Sequence, residues 1–300
     1  MHEKQKSSFS HGISYMVLSA ISFSIAYLFI KLSTTKIYLS LLIFLRFLIP
    51  LLIITAIFWI QKKRFATQNL KRHFLRAIFV VVAQYCIFFY ITQNSLLNAT
   101  VLLSTSPIFI PFIEWLFLNY RIARSTWISI GISAVGVFLI LNPGTNLLSL
   151  MSLLGLTAGL CQAASQVILG MNMQKESSEL NLFYLYFFGT ILSIIPLFIF
   201  LGISPGHLSG GGIQIEVLLF LLILSLANMA NQFFRGRAYA HKKPSTLSCF
   251  LYLSVLFSAF LDWSVFGKVP QVISIIGAFL VVLGGISKVY LRYLFLHKKQ

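Results

Sequence analysis

Three ionisable side chains stand inside runs that are otherwise apolar: Arg46, Glu114 and Asp262. A charge at bilayer depth costs at least ~2.5 kcal/mol, so such residues usually serve a purpose. A guanidinium offers a contact for a substrate anion or one side of a gate ion pair, and Asp262, at a similar depth, is the candidate partner of Arg46. Glu114 and Asp262 are candidates for gate pairs or for a proton-coupling carboxylate. Each precedes a tryptophan, which also suits an interfacial aromatic belt. Each falls near the expected end of a helix, where the macrodipole disfavours negative charge. Arg121 or Arg124 would offset Glu114, and Lys31, Arg46 or Lys268 would offset Asp262. A structural bridge or a snorkelling chain is the competing reading of Arg46.

A second set is polar but uncharged: Tyr27, Gln84, Tyr85, Gln162, Gln166, Asn228, Gln232 and Tyr252. Gln162 and Gln166 are four residues apart, as are Asn228 and Gln232, so each pair shares one helix face. Such a face turns towards a cavity or a neighbouring helix rather than lipid, and hydrogen bonding between helices is the alternative to cavity lining.

Catalytic and metal chemistry find no foothold. All six histidines fall between or outside the apolar runs, and Cys86, Cys161 and Cys249 stand alone within them without metal-type spacing. No nucleophile–base or HExxH arrangement occurs in a span. Neither an enzyme nor a cofactor is expected.

These residues are set in a chain that is 58% hydrophobic and 10% charged, against about a quarter charged in soluble domains. Surface that apolar calls for lipid as solvent. A spanning helix takes about 20 apolar residues. The runs give ten all-α spans: Gly12–Ile30, Tyr38–Ile60, Leu75–Thr92, Leu97–Leu118, Thr126–Leu141, Leu148–Met171, Leu182–Leu201, Val217–Phe234, Thr246–Phe266 and Val272–Tyr290. The N-terminal run continues into Lys31 without a cleavage-type site, so it reads as an uncleaved first helix.

The net charge of +17 would suggest nucleic acid in a soluble protein, but the bases sit between apolar runs and no nucleic-acid partner is expected. With the N-terminus placed inside, only Lys31, Lys36 and Lys268 of the 23 Lys and Arg residues fall in outer segments, and Arg46 lies within a span. The positive-inside rule thus supports ten spans with both termini cytoplasmic.

Five spans per half make the second half inverted relative to the first. Ser106, Glu114-Trp115 and Gly136 recur 148 residues later as Ser254, Asp262-Trp263 and Gly284. Inverted repeats are a transporter architecture with the substrate site at the midplane. Residues 1–144 and 145–300 are the two expected repeats.

Ala99–Pro107 (ATVLLSTSP), Gly131, Gly136 and the stretch ending at Gly144 resemble the drug/metabolite transporter superfamily, EamA type. So do Ala238-Tyr239, Ser245 through Trp263, Phe266–Pro270 and Gly277. Tyr120 and Lys268 stand where the family pattern has a Glu after the glycine closing the fourth and ninth spans. The resemblance implies a ten-helix bundle of inverted five-helix repeats, with a central cavity and alternating access, in a bacterial cytoplasmic (inner) membrane. It implies a small-molecule substrate: an amino acid, a nucleotide-like metabolite such as S-adenosylmethionine, or an amphipathic drug. A non-transporting scaffold or a channel is the alternative. Substrate, direction, coupling and oligomeric state stay open.

Overall fold

A backbone in hydrocarbon must satisfy its own hydrogen bonds, so each apolar run is constrained to be helical. The computed structural model describes residues 2–33, 39–93, 102–141, 152–203, 215–267 and 272–297, and among these there is no strand. Lys36, Lys268, Ala99–Val101 and Asn142–Gly144 lie outside the described residues. The first half holds α1 (His2–Ser33), α2 (Leu39–Ile60), α3 (Leu70–Gln93), α4 (Ser106–Leu118) and α5 (Arg124–Leu141). The second holds α6 (Ser152–Asn172), α7 (Ser178–Ile203), α8 (Ile215–His241), α9 (Pro244–Leu247), a 3-10 turn (Ser248–Tyr252), α10 (Leu253–Phe266) and α11 (Val272–His297). Among the described residues, six stretches are long and apolar enough to cross a membrane by length and composition: those in α1, α2, α6, α7 and α8, and the run Pro244–Phe266. The apolar windows of α4, α5 and α11 are shorter.

The ninth span, expected as one helix over Thr246–Phe266, is instead broken between α9 and α10. Hydropathy does not register the break. The Ser248 hydroxyl donates to the Ser245 carbonyl (3.0 Å), and that of Ser254 donates to the Leu251 carbonyl (2.7 Å). Such bonds three residues back accompany the 3-10 winding here, and they also occur within regular helix, as from Ser193 to Thr190. The fourth span breaks at the equivalent place: the Thr105 hydroxyl donates to the Leu102 carbonyl, and α4 starts only at Ser106. Both broken spans also end alike. Asn119 and Gly267 close α4 and α10 in the left-handed conformation, with φ of 51° and 64°.

The packing repeats this likeness between halves. Exchanging each span for its counterpart turns the close pair α1·α8 into the close pair α6·α3. It turns α1 against α10 into α6 against α4. The pairs α2·α7 and α5·α11 map onto themselves. The bundle therefore follows an approximate two-fold relation between its halves.

The bundle is apolar outside, and its apolar core also buries polar side chains that join the helices. Phe117, Ile195, Phe198 and Phe279 are exposed, while Ser129, Ser193, Asn228 and Asn231 are buried. Lipid tails offer no hydrophobic drive between helices, so small residues and hydrogen bonds join them. Asn231 Nδ2 on α8 donates to the Ser19 carbonyl (2.7 Å) and hydroxyl (3.0 Å) on α1. The Ser24 hydroxyl on α1 donates to the Ser254 carbonyl on α10 (2.9 Å). Along α5·α11 the backbones nearly touch: a Cβ added at Gly277 would lie 2.5 Å from the Gly136 carbonyl oxygen. Gly277→Val is therefore expected to lower the melting temperature in detergent by roughly 5 °C or more. Gly131→Ala, whose Cβ meets nothing within 4 Å, should leave it unchanged. Equal melting of the two variants would mean that α5 and α11 are not packed this closely.

Candidate functional site

Arg46 sits half-buried on α2, four residues ahead of Pro50. A guanidinium there needs acceptors, and α3 and α8 supply them. Arg46 Nη1 donates to Gln84 Oε1 (2.8 Å) and Nη2 to Asn228 Oδ1 (3.3 Å). Bonds of this kind to a charged group contribute about 1.5–3 kcal/mol each. They tie α2 of the first half to α8 of the second. Gln232, one turn beyond Asn228, serves another arginine: Arg76 Nη2 donates to Gln232 Oε1 (3.0 Å), and Nη1 to the Asn181 carbonyl oxygen on α7 (3.2 Å). Tyr186 of α7 is buried beside both guanidiniums.

Four sequence-named residues, Arg46, Gln84, Asn228 and Gln232, are thus brought together. Tyr85 is half-buried on α3, and Gln166 (2% exposed) and Tyr252 are buried elsewhere; the Tyr85 and Tyr252 hydroxyls and Gln166 Oε1 have no hydrogen-bond partner among the described residues. Tyr27 and Gln162 are half-buried on α1 and α6. The suggested pairing of Arg46 with Asp262 is not what forms. Arg46 takes the two amides, which lie on the helices it faces, and Asp262 is half-buried on α10.

Glu114 also departs from expectation. Neither Arg121 nor Arg124 offsets it: Arg121 is exposed and lines a surface cleft of about 550 Å3 with Phe112, Trp115, Ile122 and Trp127. Glu114 is 1% exposed, and its Oε1 accepts the backbone N–H of Ser245 (3.4 Å) in α9. The nearby cation is Lys243, whose Nζ lies over the Tyr120 ring, 3.3 Å from its centroid. Ser245 lies in the first turn of α9, where the backbone N–H has no partner within the helix, and this supplies the contact. Glu114 therefore joins the fourth span to the ninth.

Sequence reading missed Arg76 and Arg235. Both stand at the edges of expected spans, Arg76 at the start of Leu75–Thr92 and Arg235 just past Phe234, whereas α3 begins at Leu70 and α8 runs to His241, so both lie well inside helices and are 1% and 5% exposed. The available signal was position: Arg235 follows Gln232 by three residues and Asn228 by seven, which puts it on their stripe.

Also missed was a clasp between halves on the face that gathers the basic loops. Glu176, in the turn between α6 and α7, accepts from Thr67 Oγ1 (2.5 Å) and Asn69 Nδ2 (3.0 Å) with Oε1, and Oε2 lies 2.6 Å from His73 Nε2. Asn172 Nδ2 faces His73 Nδ1 (3.4 Å), so Nε2 carries the ring proton. Glu179 lies nearby, between Lys63 and Arg237. His73 precedes the apolar part of α3. Burial pushes its pKa below the ordinary value and outweighs the pull of Glu176. Burial alone would raise Glu176, but the Thr67, Asn69 and His73 contacts bring it below the usual carboxylate range.

An all-helical bundle with an apolar exterior, buried polar contacts between helices and six stretches fit to cross a membrane defines a multi-pass membrane protein. The chain belongs to the EamA-like transporter family, whose model matches twice, over residues 10–142 and 149–287. It is similar to the "Pseudopaline exporter CntI" of Pseudomonas aeruginosa (strain UCBPP-PA14), 23% identical over 92% of this chain and 95% of that one. It is similar to the "S-adenosylmethionine uptake transporter" of Rickettsia felis, 22% identical over 93% and 92%. A solved crystal structure superposes with a TM-score of 0.76 over 96% of this chain and 98% of the other, at 14% identity, which speaks to the fold. The family and these relatives are transporters, not enzymes.

The clasp has a pH signature. A group whose folded pKa is depressed adds stability above its unfolded value and loses it as pH falls through the folded one. For His73 that loss starts near 6.5, and for Glu176 it starts lower, near 4.5. Thermal stability of the solubilised protein should fall as pH drops from 6.5, and His73→Gln should flatten that slope. An identical slope in both proteins would place the pH response elsewhere.

Proposed function

We propose that this chain is a secondary transporter moving a small polar or amphipathic metabolite or drug across the bacterial cytoplasmic membrane by alternating access. In this reading ten helices cross the bilayer as two inverted repeats, with both termini cytoplasmic. The observation that carries it is the polar junction of Arg46, Gln84 and Asn228, which ties the two halves together inside an apolar shell. Discontinuous spans at equivalent places in both halves add support, because transporters build midplane sites from broken helices. The basic loops also gather on one face: His11 stacks with His241 (5.9 Å), and Lys63 and Arg237 both approach Glu179. That is the face the positive-inside rule assigns to the cytoplasm.

Arg46, Gln84, Asn228 and Gln232 then line the substrate path, with Gln162 and Gln166 beside it. Tyr27, Tyr85 and Tyr252 offer aromatic faces for an apolar part of the substrate. Glu114 acts as a gate, holding the fourth span to the ninth through Ser245, and Asp262 is its counterpart in the second repeat. The relatives named for pseudopaline and S-adenosylmethionine favour a polar, multiply functionalised metabolite. One is named an exporter and the other an uptake transporter, so both directions belong in the test.

Counterflow in proteoliposomes, with amino acids, nucleotides and S-adenosylmethionine as labelled tracers, tests the reading. The wild type should exchange at least one tracer. Asn228→Ala removes an acceptor from Arg46 and should slow exchange roughly tenfold or more. Arg46→Ala should do at least as much. Wild-type rates in both variants would exclude this junction from the path, and no exchange of any tracer would count against transport.

A further inference from the structure

Arg46, Arg76 and Arg235 form a column inside the bundle. Tyr186 neighbours both Arg46 and Arg76, and Tyr239 neighbours both Arg76 and Arg235. Asn228, Gln232 and Arg235 lie on one stripe of α8, spanning about 10 Å at helical rise. The column thus leads from the Arg46 junction towards the basic-loop face.

No carboxylate among the described residues pairs with any of the three. Arg46 is held by two side-chain amides, and Arg76 by one amide and one backbone carbonyl. The Arg235 side chain makes no hydrogen bond to a described residue, and the Nε groups of Arg76 and Arg235 are buried without a partner among the described residues. The acids at this end of the bundle are engaged elsewhere: Glu114 by Ser245, Glu176 by His73, Thr67 and Asn69, and Glu179 by Lys63 and Arg237. A guanidinium has five N–H donors, and at most two are used on any of these residues. Neutral amides set orientation but bring no opposite charge, and a buried cation without one is costly.

Resting on the transporter reading, we infer that the missing counter-charge comes from the substrate: the column binds an oxyanion, carboxylate or phosphate, borne by the transported molecule. Arg46 holds it at the junction between halves, and Arg76 and Arg235 take it over towards the basic-loop face. Guanidinium suits this task because its planar fork matches both kinds of oxyanion.

The first test uses the unmodified, solubilised chain and so does not depend on any variant folding. Melting is followed with succinate, inorganic phosphate or succinamide at tens of millimolar, each against sodium chloride at equal ionic strength. Succinate or phosphate should raise the melting temperature by several degrees, with succinamide inert; whichever oxyanion acts names the class. Arg235→Gln should remove most of that rise, and Arg235→Lys should keep part of it. Counterflow with tracer pairs that differ only as carboxylate and amide should show exchange of the carboxylate at least tenfold faster. The inference is overturned if neither oxyanion shifts the wild type, if succinamide shifts it equally, or if amide tracers exchange as fast as their acids. If no tracer of any charge exchanges, the transport reading fails, and an oxyanion-specific shift would still establish the arginine site.

Discussion

A guanidinium inside an apolar bundle must find hydrogen-bond acceptors, and that requirement fixes how the central helices face one another. Arg46 on α2 turns Gln84 of α3 and Asn228 of α8 inward. Arg76 does the same to Gln232 of α8 and to the start of α7. Rotating α8 by a third of a turn would strand both arginines without acceptors, at a cost of several kcal/mol per charge. The apolar faces of α8, such as Leu218, Leu219 and Leu222, are left outward by the same choice. The centre is thus specified by polar contacts, and the lipid-facing shell follows from it.

Under the proposed alternating access, the two-fold relation between the halves would give this centre a way to move. Close packing is concentrated in pairs that map onto each other or onto themselves, such as α1·α8 with α6·α3 and α5·α11. The Gly136–Gly277 approach makes α5·α11 a tight seam. Contacts between the halves on the basic-loop face are of a different kind. They are local, polar or aromatic: the His73–Glu176 pair, the Phe65–Phe183 contact at 4.6 Å and the His73–Tyr184 stack at 4.7 Å. Such contacts break and re-form with little change in helix packing, which is what a gate requires.

Much of this was legible in the sequence, because hydropathy and charge placement act directly on membrane helices. The all-helical character and the shared face of Asn228 and Gln232 follow from period and spacing. Other features were not legible, for identifiable reasons. A basic residue at the edge of an apolar run reads as the end of a span, so Arg76 and Arg235 stand at span ends although both lie well inside their helices. The break at Ser248–Tyr252 falls within a continuously apolar run and leaves no mark on hydropathy. The partners of Glu114 and Glu176 lie more than a hundred residues away in the chain, at Ser245 and His73. No local pattern encodes such pairs, and the nearer arginines drew the expectation for Glu114 instead.

The central claim is that the halves separate on the basic-loop face during each transport cycle. Asn69→Cys with Glu176→Cys, in a chain whose Cys86, Cys161 and Cys249 are replaced, puts one thiol on each side of the contact that Asn69 Nδ2 and Glu176 Oε1 make at 3.0 Å, and oxidation with a short dithiol then bridges the two shorter side chains through disulfides. Counterflow of an exchanged tracer is measured before oxidation, after it and after reduction. The account predicts that the disulfide bridge stops exchange and that reduction restores it. Unchanged exchange with the face covalently closed would contradict it.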